Sequence, residues 1–245
     1  MDTAPTIPLL KNSPLVEVVF GIQVTTPANL QEEDVRGEFE PRIISGLFLK
    51  ETGHVFNPIA LFDKKSLVWN GMKLESHDKR LLGHFLRNGM YINFLPPYGG
   101  YQGSILRVKE LWEAYRLNFK PENILGTSIR YINIFDIPLV NQGFKADEWF
   151  RMISLFPHPS PFELISFHNQ RLVGERENGL QGRISLTSLE EKQGMLKVSL
   201  DIEGFRPRIT AIDSLEPWVD FIRLREWTYR MFTEILTPTC LEPFK

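Results

Sequence analysis

Two rhythms of apolar residues alternate along this chain, one of period two and one of period three to four. The longest period-two run is residues 127–138, near the middle. Ile129, Tyr131, Phe135 and Ile137 fall on one side of it, and Ile132 and Ile134 on the other. Apolar residues on both sides predict a central strand covered on two faces. Arg130 and Asn133 sit inside that strand on opposite faces, and each needs a partner if it is buried. Residues 14–24 form a second strong strand, β-branched and bounded by Pro14 and the Thr25-Thr26-Pro27 run. Two short strands are expected at 55–62 and 67–70. Runs at 80–87 and 90–95 flank Asn88-Gly89, which predicts a hairpin closed by a type I′ turn. Three more strands are expected at 162–173, 180–189 and 195–202.

The slower rhythm predicts helices. Asn29 followed by Glu32 has capping-box spacing, and Val35, Phe39, Ile43 and Leu47 recur every four residues behind it, with Pro41 expected to kink the helix. Over residues 101–119, Ile105, Val108, Trp112, Tyr115 and Phe119 form one stripe, and Pro121 ends it. A short helix is expected at 146–153. A last one runs over 214–236, with Leu215, Trp218, Ile222, Tyr229, Phe232 and Leu236 as its stripe and Arg225 at one seam position.

The order of elements repeats: strand, helix, antiparallel strands, long helix. The reading is therefore an α+β fold of two pseudo-repeated halves, 1–122 and 123–245, with long helices packed on a mainly antiparallel sheet. The halves are expected to associate tightly, up to forming one domain, because no flexible linker separates them. No similarity between individual residues accompanies the repeat.

Composition narrows the function classes. The 245 residues carry a net charge of −2, evenly spread: 14 basic and 14 acidic residues up to position 122, then 14 and 16. Neither half has the basic excess that phosphate-backbone binding leaves, so nucleic acid is not the favoured partner. A single cysteine, Cys240, rules out an intramolecular disulfide and a multi-cysteine metal site. The N-terminal residues lack a secretory pattern and no apolar run has the length of a membrane span, so a cytoplasmic protein without a membrane partner is expected.

The chemistry-bearing residues are sparse. His54, His77, His84, His158 and His168 show no metal-ligand spacing, and no phosphate-loop, dinucleotide, nucleophile-elbow or zincin motif occurs. No cofactor, metal or catalytic residue is expected, and the chain reads as a non-enzyme. Asp201 and Glu203 share one face of a strand and could bind a divalent cation or act as acid and base; the plainer reading is that they face solvent while Leu200 and Ile202 face the core. Superposing the first strands of the two halves sets Glu17 over Arg130, so a bidentate Arg130–Glu17 pair is expected to pin the halves together. As a ligand site instead, Arg130, Tyr131, Asn133 and Tyr98 would line a pocket. Arg171, Arg176, Arg183, Arg206 and Arg208 make the best local basic patch, with Phe167 and Phe205 as stacking surfaces, although acidic residues intersperse it.

Several short motifs together resemble a sporadically distributed prokaryotic family of unknown function. They are Pro14-Leu15-Val16-Glu17, Pro97-Tyr98 before an aromatic helix, Arg130-Tyr131-Ile132-Asn133, Leu200-Asp201-Ile202-Glu203, and a closing helix that runs into Phe232. The resemblance spans most of the chain. A patchy distribution implies an accessory role, such as phage defence or partnership with a toxin or other effector. Three functions follow as expectations. The first is a non-enzymatic interaction or regulatory protein that binds a protein partner, a second copy of itself included, through a sheet edge or aromatic surface. The second is a small-ligand or nucleotide-binding module between sheet and helices. The third is an RNA- or DNA-binding α+β repeat.

Overall fold

The computed structural model describes residues 12–35, 50–56, 69–139, 144, 146–152 and 166–244, with backbone alone over 50–56. The chain divides into two compact units, each assembled from separated stretches. One takes Glu17–Ser128 and Arg206–Asp220; the other takes Met1–Val16, Ile129–Phe205 and Phe221–Lys245.

The first unit is built on strands β1 (Leu15–Thr25), β2 (Lys50–Phe56), β3 (Trp69–Glu75), β4 (Leu81–Leu86) and β5 (Gly89–Phe94), side by side in the order β2-β3-β4-β5-β1. The four pairings among them are antiparallel. Val18, Phe20, Ile22 and Val24 are buried on one face of β1, as alternation requires. Helix α1 (Tyr101–Phe119) covers that face, and its expected stripe is buried throughout. Phe119 stacks on Trp69 at 6.1 Å between centroids and on Tyr115 at 4.5 Å, while the Tyr115 hydroxyl donates to Leu86 O at 2.6 Å. Each such side chain contributes about 1.5–3 kcal/mol on burial. Lys120, in the left-handed region at φ 46°, returns its N–H to Arg116 O and Pro121 follows, so the helix stops there.

The second unit is an antiparallel arrangement of β6 (Asn123–Pro138, from Ile129 onward), β9 (Met195–Thr210, up to Phe205), β8 (Leu180–Lys192) and β7 (His168–Glu175), in the order β6-β9-β8-β7. Helix α3 (Glu216–Ile235), from Phe221 onward, lies on it, after the four-residue α2 (Ala146–Trp149) and before the four-residue α4 (Pro238–Leu241). Two glycines of the sheet admit this helix. A Cβ on Gly182 would stand 1.9 Å from the Trp227 ring, and one on Gly204 would meet Leu224, Trp227 and Thr228, each at 3.2 Å.

Four expectations need correction. The capping contact at the first predicted helix lies two residues later, with Asp34 accepting from the Gln31 N–H at 2.9 Å; residues 32–35 are helical, and Phe39, Pro41, Ile43 and Leu47 lie outside the described residues. The β4–β5 turn is Arg87–Asn88, since Leu86 pairs with Gly89, and Asn88 does not adopt positive φ. Gly89, at φ 153°, serves strand packing: a Cβ there would lie 2.5 Å from Ile22 O on β1. The last helix buries Pro217, Asp220, Phe221, Leu224, Trp227, Thr228 and Ile235, while Leu215 is 76% exposed and Ile222 40%. Finally, β9 runs eight residues past its expected end at 202 and carries Arg206 and Arg208 within it. Residues 57–62, 67–68 and 162–165 of the expected strands, and His158, lie outside the described residues.

Candidate functional site

Leu200, Ile202 and Gly204 of β9 are buried, with Gly204 against α3, so Asp201 and Glu203 between them look out of the other face. The β8–β9 register sets Ser185 across from Asp201 and Arg183 across from Glu203. Both carboxylates are occupied. From β6, Arg130 donates through Nε (2.8 Å) and Nη2 (2.5 Å) to the two oxygens of Asp201, a bidentate fork. Arg183 donates to Glu203 at 2.6 Å. The Asp201 and Glu203 side chains keep only 16% and 23% of their exposure, so the expected solvent-facing alternation gives way to two lateral ion pairs.

Within its own unit, Arg130 gives its Nε and Nη2 donors to Asp201 on a neighbouring strand, so the bidentate partner there is Asp201; in the other unit the Glu17 carboxylate accepts from the Asn93 side chain of β5. Asn133 lies on the opposite face of β6, 4% exposed, and donates to Leu200 O at 3.4 Å; Tyr131 shares that face and is half-buried. Arg130 therefore cannot line one pocket with Tyr131 and Asn133.

Outside β8 comes β7, the last strand in the sheet order. Gln170 donates to Ser185 Oγ at 3.1 Å, and His168 Nδ1 shares a hydrogen bond with Thr187 Oγ1 at 2.8 Å. Leu172, across from Arg183, is 76% exposed. His168, Gln170 and Leu172 thus extend the face that carries the two ion pairs. Arg171 donates to Met152 O at 2.9 Å, and Glu175 is held by Arg230 and Asn178, which keep its carboxyl below the ordinary range.

Within their own units, most arginines of the expected basic patch have partners. Arg183 is neutralised by Glu203. Arg206 lies 3.3 Å from Asp220 near the start of α3, and Arg208 contacts both Asp220 (2.9 Å) and Glu216. Burial pushes the Asp220 carboxyl above the ordinary range even though Arg208 and Arg206 oppose that shift. Arg176 is exposed in the β7–β8 turn. Phe167, expected as a stacking surface, is buried and stacks on Phe144 at 5.5 Å; Phe205 is half-buried. The Asp220 cluster was missed because an acid at a seam position reads as solvent-facing. Its signal was the Arg-x-Arg spacing on the strand before the helix.

Tyr98 lines a cavity of about 480 Å³ in the first unit, together with the β3–β4 turn, the end of β5 and the first two turns of α1. Arg130, Tyr131 and Asn133 are not among its lining residues. The half-buried His84 faces Lys73 and Tyr91 across its strand pairs; burial and Lys73 hold its imidazole below the ordinary value, with Glu17 pulling the other way. Cys240 is buried and its thiol is pushed up to about 12. Among the described residues, no three His, Cys, Asp or Glu side chains are placed to hold a metal, and no helix is long and apolar enough to cross a membrane. Neither the models of known protein families nor the curated proteins contain a match to this chain.

Proposed function

We propose that this protein is a non-enzymatic partner-binding protein that takes an extended segment of another protein along the outer edge of β7. The observation that carries this reading is the condition of that edge. Among the described residues β7 closes the sheet order, and 76% of Leu172 is exposed on it. A terminal strand presents a row of N–H and C=O groups to any chain that can lie beside it, and folds normally guard such edges with Pro, Lys or a bulge. β7 contains neither Pro nor Lys, and its pairing with β8 is regular over eight residues. Arg171 and Glu175 are already committed to Met152 O and to Arg230, so the edge offers main-chain hydrogen bonds and an apolar anchor with little free charge. The adjoining face is fixed in advance by the Arg130–Asp201 and Arg183–Glu203 pairs, which reduces the ordering required when a partner docks.

The family resemblance gives this reading a setting: accessory partner of an effector in a prokaryotic defence or toxin-type system. The halves as duplicates are part of the same proposal. Within each half the first strand lies beside the last one, β1 with β5 and β6 with β9, and each half closes on its long helix.

A photo-crosslinking amino acid at Gln170, in the full chain expressed in its native host, tests the edge. The expected result is one discrete adduct that disappears when Leu172→Glu is added and persists with Leu106→Glu, an exposed position on α1. An adduct indifferent to Leu172→Glu, or none at all, removes the proposal. An adduct of twice the chain mass replaces the partner protein with a second copy.

A further inference from the structure

The cavity beside Tyr98 has the volume of a small-molecule site, and its three walls differ in chemistry. One wall is the β3–β4 turn. There Asp78 accepts from Ser76 Oγ at 2.7 Å and from the Arg80 N–H at 3.1 Å, and these hydrogen bonds hold its carboxyl below the ordinary range. The acid is thereby occupied by its own turn. Arg80 beside it is exposed, and its guanidinium makes no hydrogen bond among the described residues. A second wall is the start of α1, which contributes Arg107, half-exposed and joined to Glu110 by a surface pair at 2.7 Å that solvent screens. The third wall is apolar, formed by Leu81, Phe94, Pro97 and the ring of Tyr98.

Gly103 adds a separate observation. Glycine inside a helix costs about 1 kcal/mol relative to alanine. A Cβ at Gly103 would meet no atom within 4 Å, so packing does not require the glycine. What the missing side chain does provide is open access from the cavity to the first-turn backbone. No side chain caps that turn and no acidic residue lies in it, which leaves its N–H groups without a compensating charge.

We infer that this cavity binds a phosphate monoester of a small organic molecule. The phosphate lies between Arg80 and Arg107 over the first-turn amides of α1, and the organic part rests against Tyr98, Phe94 and Pro97. The cavity is lined by donors from the β3–β4 turn, Arg80, and from the helix, Arg107. A tetrahedral group with three terminal oxygens can satisfy all of them, whereas a planar carboxylate has two oxygens in one plane.

Calorimetric titration of the full chain with phenyl phosphate, inorganic phosphate and phenol tests the inference. Phenyl phosphate is expected to bind at one saturable site, more tightly than either fragment. Arg80→Ala and Arg107→Ala should each weaken it about tenfold or more, and Arg116→Ala, on the last turn of the same helix, should leave it unchanged. Gly103→Glu places an acid in the first turn; it should abolish binding without lowering the unfolding midpoint, which a merely structural glycine would not do. Phenol binding as tightly as phenyl phosphate, or an Arg80→Ala/Arg107→Ala double variant that binds like the parent, overturns the inference.

Discussion

Arg130 illustrates how much of a residue's role depends on neighbours that lie far away in sequence. Its need for a carboxylate was legible, because an arginine within an apolar strand cannot stay unpaired; which carboxylate was not legible. Asp201 is 71 positions away and reaches Arg130 only because β6 and β9 are neighbours. Arg130→Ala should cost about 1–2 kcal/mol, between the limits for exposed and buried pairs. Urea denaturation of the single variants and of Arg130→Ala/Asp201→Ala checks this, and additive losses would mean the fork contributes nothing. His84 makes the second prediction at this scale. Because the fold lowers its affinity for a proton, the unfolded chain takes one up first as pH falls below 6.5. Native stability should therefore fall on acidification through the lowered value, and His84→Gln should reduce the stability lost between pH 7 and pH 5.

Among the elements, α1 was legible to the residue and α3 was not. The stripe of α1 is wholly apolar and its boundaries are marked by Gly-Gly and Pro, so local signals agree with the packing. In α3 two apolar stripes compete, and the one that reads better in sequence leaves Leu215 and Ile222 exposed and Trp218, Tyr229 and Phe232 only half-buried. The buried stripe contains Asp220, which is tolerated there because Arg206 and Arg208 meet it. It also depends on Gly182 and Gly204, whose missing side chains make room for Trp227 and Leu224. No pattern confined to the helix carries that information. Gly182→Ala should destabilise by about 1–3 kcal/mol through overpacking against Trp227. Calorimetric unfolding should show the loss, and Trp227→Leu should recover part of it; a Gly182→Ala variant as stable as the parent would contradict the close approach.

At the scale of the molecule, the antiparallel α+β architecture with long helices was legible because both hydrophobic rhythms persist over most of the chain. The interleaving of the units was not, since it depends on where β6, β9 and α3 pass from one unit to the other. The unit holding Glu17–Ser128 also includes Arg206–Asp220, with the Lys109–Trp218 contact at 5.3 Å and both arginine–Asp220 pairs inside that group. A fragment of residues 1–122 lacks these pieces and should fail to fold cooperatively, whereas co-expression with 123–245 should restore a soluble complex. A dispersed amide NMR spectrum and a sharp melt from 1–122 alone would refute this.

Gly89 has a consequence for how the sequence can drift. It stands next to a turn, yet the constraint on it comes from the backbone of Ile22, 67 positions upstream. Descendants of this gene should be free to exchange Asn88 for other turn residues, while Arg87, whose guanidinium donates to Ala28 O and Pro27 O, is held more closely and amino-acid changes at Gly89 are eliminated. Selection at Gly89 should therefore follow the spacing of β1 and β5 and not the demands of the turn beside it.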